Sequence, residues 1–247
     1  MPIDSASRIP FSGTFSITGP RERLIVALDV SSASDARRIV AAVGDSAFTY
    51  KVGMQLYTAE GPSVVRDLVA SGRRVFLDLK YHDIPNTVGA AVREAGQLGV
   101  SMLTVHASGA GKMLRAAVEA ASSTPGMMIL AVTVLTSMDE QELAAIGVSD
   151  NMADEVIRLA RLAISSGCHG VVSSPREASR LRAELGDRFA IVTPGVRPAG
   201  GKMGDQVRVA TPAEAIAAGA SHIVVGRPIT EAADPAAAAR AILEEIT

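Results

Sequence analysis

The stretch RVFLDLKYHDIPNTV, residues 74–88, begins with a run of apolar residues and then places Asp78, Lys80 and Asp83 within six positions. Strands that are covered on both faces have such continuous apolar runs, whereas half-exposed strands alternate apolar and polar residues. The proline in DIPNT biases the residue before it toward an extended conformation and so limits the strand. The stretch therefore predicts a buried parallel strand with charged side chains at its carboxyl end.

Seven further runs of the same character occur along the chain. In chain order the eight runs are LIVALDV from Leu24, FTYKVG from Phe48, RVFLDLK from Arg74, SMLTVHA from Ser101, MMILAVTVL from Met127, GCHGVVSS from Gly167, FAIVTPGV from Phe189 and SHIVVGR from Ser221. Between them lie segments with Ala, Leu, Arg and Glu at helical spacing, such as SDARRIVAAV, PSVVRDLVASG and TPAEAIAAGA. Several of these segments end at glycine, as helices commonly do. The pattern indicates a βα unit repeated eight times.

Two architectures show this alternation, the closed (βα)8 barrel and the open doubly wound sheet. Eight units within 247 residues favour the barrel, which typically needs about 250 residues. We therefore predict an α/β fold, a closed (βα)8 TIM barrel, as one catalytic domain over residues 22–247. Residues 1–21 contain several Pro, Ser and Gly and no continuous apolar segment, which predicts a flexible arm rather than a secretory signal.

The charge balance bears on the partners of the chain. The 24 Lys and Arg residues and 26 Asp and Glu residues leave a net charge of −2, so no overall field favours a nucleic-acid partner or an anionic membrane surface. No apolar run approaches the roughly 20 residues of a membrane span. The single cysteine, Cys168, cannot form an internal disulfide, which is typical of a cytoplasmic protein. We predict a cytoplasmic protein that binds any anionic ligand at a local site.

Active sites of this fold lie at the carboxyl ends of the strands, so charged residues there favour a catalytic interpretation. Asp78 and Lys80 are two positions apart, so on an extended strand both face the barrel mouth as an ion pair. A purely structural salt bridge is the alternative. Two further charges at neighbouring strand ends favour function, since burying four charges without a task is costly. The polar residues at the first five strand ends are Asp29, Lys51, Asp78, Lys80, His106 and Thr136.

A second cluster follows the seventh and eighth runs, in TPGVRP and VVGRPIT. Loops after these two strands commonly bind phosphate, because glycines let backbone N–H groups approach the anion and an arginine supplies charge. Glycines chosen only for tight turns are the alternative. The candidate residues here are Gly195, Arg197, Gly226 and Arg227.

Two longer connections also point to the mouth of the barrel. The gap between the fifth and sixth runs contains TSMDEQELAAIGVSDNM, residues 136–152, which predicts a wall of the active site. RPAGGKMGDQ, residues 197–206, contains a Gly-Gly pair and predicts a mobile loop. No set of His, Cys and carboxylate residues has metal-ligand spacing, and no G-x-G-x-x-G follows the first run. We therefore predict no metal and no cofactor.

LDLKYHDIPNTV resembles the D-x-K-x-x-D-I-P-N-T signature of the orotidine 5′-monophosphate decarboxylase family. The resemblance continues in the same order through LIVALDV, YKVGMQLY, LTVHASG, AVTVLTSM, TPGVRP, GDQVRVATP and IVVGRPIT, from Leu24 to Thr230. One departure is Ala110 in HASGAG, where the family often has a second glycine. This departure affects a turn and leaves every catalytic position matched.

The resemblance implies cofactor-free decarboxylation of orotidine 5′-monophosphate (OMP) to UMP, the last step of de novo pyrimidine synthesis, by a homodimer with shared active sites. By the same resemblance, Lys80 is the proton donor and Asp78 lies beside the departing carboxylate, while Lys51 and Asp29 hold the ribose and order the charges. The remaining matches are Asp83, Ile84 and Thr87 donated across the dimer interface, Thr136 beside the pyrimidine, Gln206 between base and phosphate, and Arg197, Gly226 and Arg227 at the phosphate.

Two other functions remain open at this point. A 3-keto-L-gulonate 6-phosphate decarboxylase or a hexulose-phosphate synthase has a related D-x-K-x-x-D pattern and usually needs Mg2+. The DIPNT string and the lack of an acidic residue late in the second run disfavour this alternative. A catalytically silent phosphosugar-binding barrel would keep Gly226 and Arg227 but would not need Asp78, Lys80 and Asp83 together.

Overall fold

Eight parallel strands close into a barrel in which each strand pairs with its sequence neighbour and the eighth pairs with the first. The computed structural model describes residues 19–198 and 210–247. The predicted (βα)8 barrel is confirmed, and every strand coincides with one of the eight apolar runs. The strands are β1 Leu24–Ala27, β2 Thr49–Gly53, β3 Arg74–Tyr81, β4 Met102–His106, β5 Met128–Val132, β6 Gly170–Val172, β7 Ala190–Thr193 and β8 His222–Val225.

Helices surround the barrel, and several begin at a side chain that accepts a backbone N–H of the first turn. Ser32, Asn151 and Thr211 each cap a helix in this way, which satisfies N–H groups that have no partner within the helix. The helices are α1 Pro20–Arg23, α2 Ala33–Val43, α3 Met54–Glu60, α4 Ser63–Ala70, α5 Pro85–Gln97, α6 Ala110–Ala121, α7 Glu140–Ala145, α8 Met152–Ser165, α9 Pro175–Leu185, α10 Pro212–Ala217, α11 Arg227–Thr230 and α12 Pro235–Glu245.

Apolar side chains are buried on both faces of the strands. One cluster fills the barrel interior and includes Ile25, Phe76 and Leu130, and a larger cluster lies between the strands and the helices. On β1, Leu24 and Val26 belong to the outer cluster and Ile25 to the inner one, as the alternation of side chains along a strand requires. Because both faces of each strand are buried, most residues in the strand sequences are apolar.

The pairing of β3 with β4 is irregular near the carboxyl end of β3. Leu77 pairs with Leu103, and the next pair is Tyr81 with Val105, so β3 advances four residues where β4 advances two. Lys80 lies within this bulge and has a φ of 52°, a conformation that non-glycine residues rarely adopt. We call residues 78–80 the β3 bulge. It places the two charged residues of the D-x-K sequence outside the regular pairing with β4, although Asp78 still pairs with Gly53 of β2.

The proposed division between an arm at residues 1–21 and a barrel at residues 22–247 stays a prediction. Helix α1 crosses the boundary at residue 21, and most of the arm lies outside the described residues. Within residues 19–198 and 210–247, no helix combines the length and apolar character needed to cross a bilayer.

Candidate active site

A pocket of about 730 Å³ opens at the carboxyl ends of the strands. Its floor is formed by the upper apolar residues of the barrel interior, including Ala27, Phe76 and Val224. Charged side chains line its walls. Those that the sequence singles out are Asp29, Lys51, Asp78, Lys80, Arg197 and Arg227. The pocket lies where the fold places active sites, and it combines an apolar floor with converging charges.

Four of these side chains form a row of alternating charge, Asp29, Lys51, Asp78 and Lys80, which we call the charge row. Lys51 Nζ lies 2.8 Å from Asp29 Oδ1 and 3.8 Å from Asp78 Oδ2. Lys80 Nζ lies 2.9 Å from Asp78 Oδ1. Each ammonium therefore has a carboxylate beside it, and Asp78 lies between the two lysines.

Burial differs along the charge row. The side chains of Lys51 and Asp78 are 13% and 14% exposed, whereas that of Asp29 is 58% exposed. Interactions between charges are stronger where water is excluded, and leaving one partner of a buried pair unmatched is costly. The middle of the row, Lys51 and Asp78, is thus the part in which each charge depends most on its neighbours.

The ion pair predicted from the D-x-K spacing is present, but the backbone that forms it is not extended. The β3 bulge turns the Lys80 amide toward β4, where it donates to Thr104 Oγ1 at 2.9 Å. The Thr104 hydroxyl in turn donates to Asp78 Oδ1 at 3.0 Å. Sequence reasoning missed Thr104, because a threonine within an apolar run is also an ordinary strand residue.

Gly53 is a second residue that the sequence did not single out. A Cβ at this position would lie 3.0 Å from Lys51 Nζ and 3.4 Å from Asp29 Oδ1. The glycine therefore leaves the space that the Lys51–Asp29 ion pair occupies. The signal that could have found it is its position at the last residue of β2, two residues after a charged strand residue.

The second cluster adjoins the charge row. We call it the phosphate-type cluster, and it consists of Gly195, Arg197, Gly226 and Arg227. Gly195 has a φ of 77°, and Gly226 lies so close to Asp29 that a Cβ on it would be 3.7 Å from Asp29 Oδ2. Arg227 is the first residue of α11 and lines the pocket together with Arg197. All four candidates thus line the same pocket as the charge row.

Arg197 also lies at one end of the segment that the sequence predicts to be a loop. Its backbone N–H donates to the Ala210 carbonyl at 2.9 Å, and Val196 forms a β-bridge with Ala210. Its Nε is buried and has no hydrogen-bond partner among the described residues. Gln206 and the predicted loop around it lie outside the described residues.

The insertion between β5 and β6 contributes to the pocket at its beginning. Leu135 and Thr136 line the pocket, whereas α7, which follows them, does not. Thr136 is therefore in position to touch a bound ligand. The part of the insertion from Asp139 onward forms a separate helix that begins with a capping box between Asp139 and Glu142.

Asp83, Ile84 and Thr87 do not line the pocket of their own chain. All three are exposed, and the Ile84 side chain is 66% exposed, which is unusual for a large apolar residue. Asp83 Oδ1 accepts the Ile84 N–H at 2.6 Å. The donation of these three residues to the site of a partner subunit stays a prediction.

His106 lies at the end of β4, with its ring centroid 5.5 Å from that of His82. Burial lowers the pKa of His106, and the nearby His82 and Lys80 lower it further. The lowered pKa favours the neutral imidazole at pH 7, and His106 does not line the pocket.

Comparison with known proteins agrees with this geometry. A protein-family model described as Orotidine 5'-phosphate decarboxylase / HUMPS family matches residues 22–242. The chain belongs to this family. The matched residues include all eight strands, the charge row and the phosphate-type cluster.

Relatives in the orotidine 5'-phosphate decarboxylase / HUMPS family match nearly the whole chain. A curated relative from Afipia carboxidovorans, named orotidine 5'-phosphate decarboxylase, is 53% identical over 229 residues, which cover 93% of this chain and 96% of the relative. One of the same name from Rhodopseudomonas palustris is 54% identical over 226 residues, covering 92% and 95%. The crystal structure of orotidine 5'-phosphate decarboxylase from Lactobacillus acidophilus has a TM-score of 0.82 and 40% identity, covering 91% of this chain and 98% of that one.

Proposed function

We propose that this chain decarboxylates OMP to UMP, the last step of de novo pyrimidine synthesis. The observation that carries the proposal is the charge row, in which Asp78 accepts a hydrogen bond from Lys80 Nζ at 2.9 Å and also faces Lys51. The relatives named orotidine 5'-phosphate decarboxylase, at 53% and 54% identity, support the same activity.

The reaction removes CO2 from C6 of the pyrimidine ring. The C6–carboxylate bond breaks, its electron pair stays on C6 in the plane of the ring, and neutral CO2 leaves. No adjacent carbonyl or iminium can take up that pair, so the protein has to stabilise the developing negative charge. In our proposal Lys80 supplies the ammonium nearest C6 and transfers its proton there, which gives UMP and a neutral amine that water reprotonates.

One ammonium does not supply enough stabilisation by itself. Enzymes lower barriers by about 8–23 kcal/mol, and a reaction without an electron sink needs a value in the upper part of this range. A unit charge about 4 Å from the carbanion contributes on the order of 4 kcal/mol at an effective dielectric constant near 20. The rest has to come from other preorganised charges and from binding energy at parts of the substrate that do not react.

Asp78 has two functions in this scheme. Its carboxylate faces the substrate carboxylate, and the repulsion between them is relieved when the substrate group leaves as neutral CO2. It also accepts a hydrogen bond from Lys80 Nζ at 2.9 Å, which keeps that side chain in place. Lys51 and Asp29, which are 2.8 Å apart, hold the ribose and keep the charge row ordered.

The phosphate-type cluster supplies the remote binding energy. We assign the substrate phosphate to Gly226, Arg227 and Arg197, and the pyrimidine to the side of the pocket at Thr136. Gln206, outside the described residues, would bridge base and phosphate by the family resemblance. If these contacts strengthen in the transition state, removing the Arg227 and Gln206 side chains lowers kcat/KM and does more than raise KM.

We propose further that the active enzyme is a cytoplasmic homodimer. Asp83, Ile84 and Thr87 are exposed and lie outside the pocket of their own chain, which supports their donation to the pocket of a partner. The 66% exposed Ile84 side chain would be buried by such an interface.

An absorbance assay for UMP formation from OMP, with and without EDTA, tests the proposal. We expect UMP to form at the same rate in both conditions, and Lys80→Ala to abolish it. A sugar-phosphate enzyme of the rival class would leave OMP unchanged and lose its own activity in EDTA. A silent phosphosugar-binding barrel would bind ligand and turn over nothing. Absence of UMP formation from a folded wild-type protein would refute the proposal.

A further inference from the structure

Thr104 lies on β4 between the barrel interior and the charge row, and its side chain is fully buried. It is not one of the residues that line the pocket. Its hydroxyl nevertheless has two partners in the charge row. It accepts the Lys80 backbone N–H at 2.9 Å and donates to Asp78 Oδ1 at 3.0 Å.

The chemistry of the two partners fixes the direction of both hydrogen bonds. A backbone N–H can only donate, and an ionised carboxylate can only accept. The hydroxyl proton must therefore point to Asp78 while the hydroxyl oxygen faces Lys80. Serine can make the same pair of bonds, whereas valine, with nearly the same shape as threonine, can make neither.

The bond to the Lys80 amide occurs where regular strand pairing fails. The paired residues on either side are Leu77 with Leu103 and Tyr81 with Val105, so Thr104 is the β4 residue opposite the β3 bulge. Lys80 has a φ of 52° there, which a residue with a side chain adopts only when its surroundings hold it. The Thr104 hydroxyl accepts the backbone N–H of this strained residue and so gives a part-buried donor its partner.

The bond to Asp78 fixes the other half of the ion pair. Asp78 Oδ1 receives the Thr104 hydroxyl and the Lys80 ammonium, at 3.0 Å and 2.9 Å. Its second oxygen, Oδ2, faces Lys51 Nζ at 3.8 Å. With Oδ1 held from two directions, the carboxylate cannot rotate without losing both bonds. One hydroxyl thus holds the backbone of the lysine and the side chain of the aspartate.

We propose that Thr104 is a positioning residue that sets the geometry of Asp78 and Lys80 for proton transfer to C6. This inference rests on the proposed function, because it assigns a reaction to the geometry. Thr104 touches no substrate in this scheme and acts only through its two neighbours. Its loss therefore slows the chemical step and leaves binding of the nucleotide largely unchanged.

One matched pair of variants isolates the hydroxyl. Thr104→Val removes it at nearly constant shape, and Thr104→Ser keeps it while removing the methyl group. We expect kcat to fall about 10- to 100-fold in Thr104→Val, the range for a lost hydrogen bond to a charged group. We expect Thr104→Ser to retain kcat within about threefold, and UMP affinity measured by calorimetry to stay within about threefold in both. If Thr104→Val does not fold, Thr104→Ala against Thr104→Ser makes the same comparison.

Amide hydrogen exchange at Lys80 provides a measurement that does not depend on catalysis. We expect exchange at this one amide to accelerate about tenfold or more in Thr104→Val and to stay near the wild-type rate in Thr104→Ser. Unchanged exchange, or wild-type kcat in Thr104→Val, would overturn the inference, as would an equal loss of kcat in the serine variant. If the wild-type protein fails to decarboxylate OMP, the proposed function fails, while the exchange experiment still decides whether Thr104 holds the bulge.

Discussion

Lys80 provides the ammonium that the proposed reaction needs, but its backbone has a conformation that non-glycine residues rarely adopt. Its φ is 52°, and a non-glycine residue in this conformation has a conformational energy about 1–3 kcal/mol higher than in the common ones. Two hydrogen bonds offset part of that cost. The Lys80 N–H donates to Thr104 Oγ1, and the Thr104 hydroxyl donates to Asp78. Strain of this kind is typical of residues whose position is required by function.

Replacing Lys80 by alanine removes the proton donor and the ammonium beside C6. We expect kcat for OMP decarboxylation to fall at least about 100-fold, the lower limit typical for a lost general acid, with the fold intact by circular dichroism. Lys112→Ala is the matched control, because Lys112 is exposed on α6 and does not line the pocket. Full activity in Lys80→Ala would contradict the proposed mechanism.

Ala110 carries a second unusual backbone conformation, with φ 65° and ψ 170°. This region of backbone conformation is nearly restricted to glycine. We expect Ala110→Gly to raise the free energy of unfolding by about 1 kcal/mol, because relief of strain exceeds the added entropy of the unfolded chain. Urea unfolding measures the change. Ala116→Gly, within the same helix, should lower stability by about 1 kcal/mol.

At the scale of single residues, the sequence predicted which charges meet but not how they are held. Asp29, Lys51, Asp78 and Lys80 converge because each lies at or near the carboxyl end of a strand of the same barrel. Thr104 could not be recognised, because its importance depends on a register shift between two strands that neither strand encodes by itself. Hydrogen bonds of this kind require the paired structure.

The end of β2 illustrates how a strand makes room for a site. Gly53 follows Lys51 by two residues, and any side chain on it would enter the space between Lys51 Nζ and Asp29. The backbone of Gly53 has φ −94°, which any residue can adopt. The constraint on this glycine is therefore spatial and concerns the ion pair.

We expect Gly53→Ala to lower kcat/KM about tenfold or more while changing the thermal midpoint by only a few degrees. The new methyl group would displace Lys51 Nζ, 3.0 Å from the added Cβ, and disturb the charge row without touching the core. Steady-state kinetics and a thermal melt check both parts. Gly19→Ala is the control, because its Cβ would meet no atom within 4 Å. A large loss of stability in Gly53→Ala would show that its role is structural.

At the scale of elements, the strands were more predictable than their pairing. All eight strands follow from continuous apolar runs, since burial on both faces leaves no polar alternation. The β3 bulge was not predictable, because the sequence RVFLDLK has the pattern of a regular strand along its whole length. Its only sequence signal is the pair of charges, which a regular strand would also present at the mouth.

At the scale of the whole molecule, the proposed dimer assembles each active site from two chains. Lys80→Ala and Asp83→Ala proteins should each be inactive, but a mixture should recover activity. With random exchange, half of the dimers are mixed and each has one intact site, so about a quarter of wild-type activity is expected. Two differently tagged chains would verify that subunits exchange. No recovery after verified exchange would place Asp83 in the site of its own chain.

Buried histidines make the stability of the barrel sensitive to acid. Burial lowers the pKa of His106, His169 and His222, and that of His222 falls to about 4. His169 Nδ1 also accepts the Ile129 N–H at 3.0 Å, which protonation of that nitrogen would prevent. An unfolded histidine titrates near pH 6.5, so between these values the unfolded chain binds protons that the folded chain does not. The stabilising contribution is present above about pH 6.5 and is lost as pH falls toward 4.

We expect His222 alone to lower the free energy of unfolding by about 2 kcal/mol between pH 7 and pH 5. Urea unfolding at both pH values and at one protein concentration measures this difference. His222→Gln removes the titration and should show a correspondingly smaller difference. The same pH dependence in both proteins would mean that other groups account for the acid sensitivity.

The β3 bulge has a consequence for protein engineering. In an ideal barrel the facing of each side chain follows from the pleat alone, and a short motif can be moved from strand to strand. Here the aspartate and lysine owe their positions to two extra residues in one strand and a hydroxyl in the next. The smallest portable unit of this site is therefore a pair of strands with its mismatch, and grafting D-x-K onto a regular barrel would transfer the residues without their geometry.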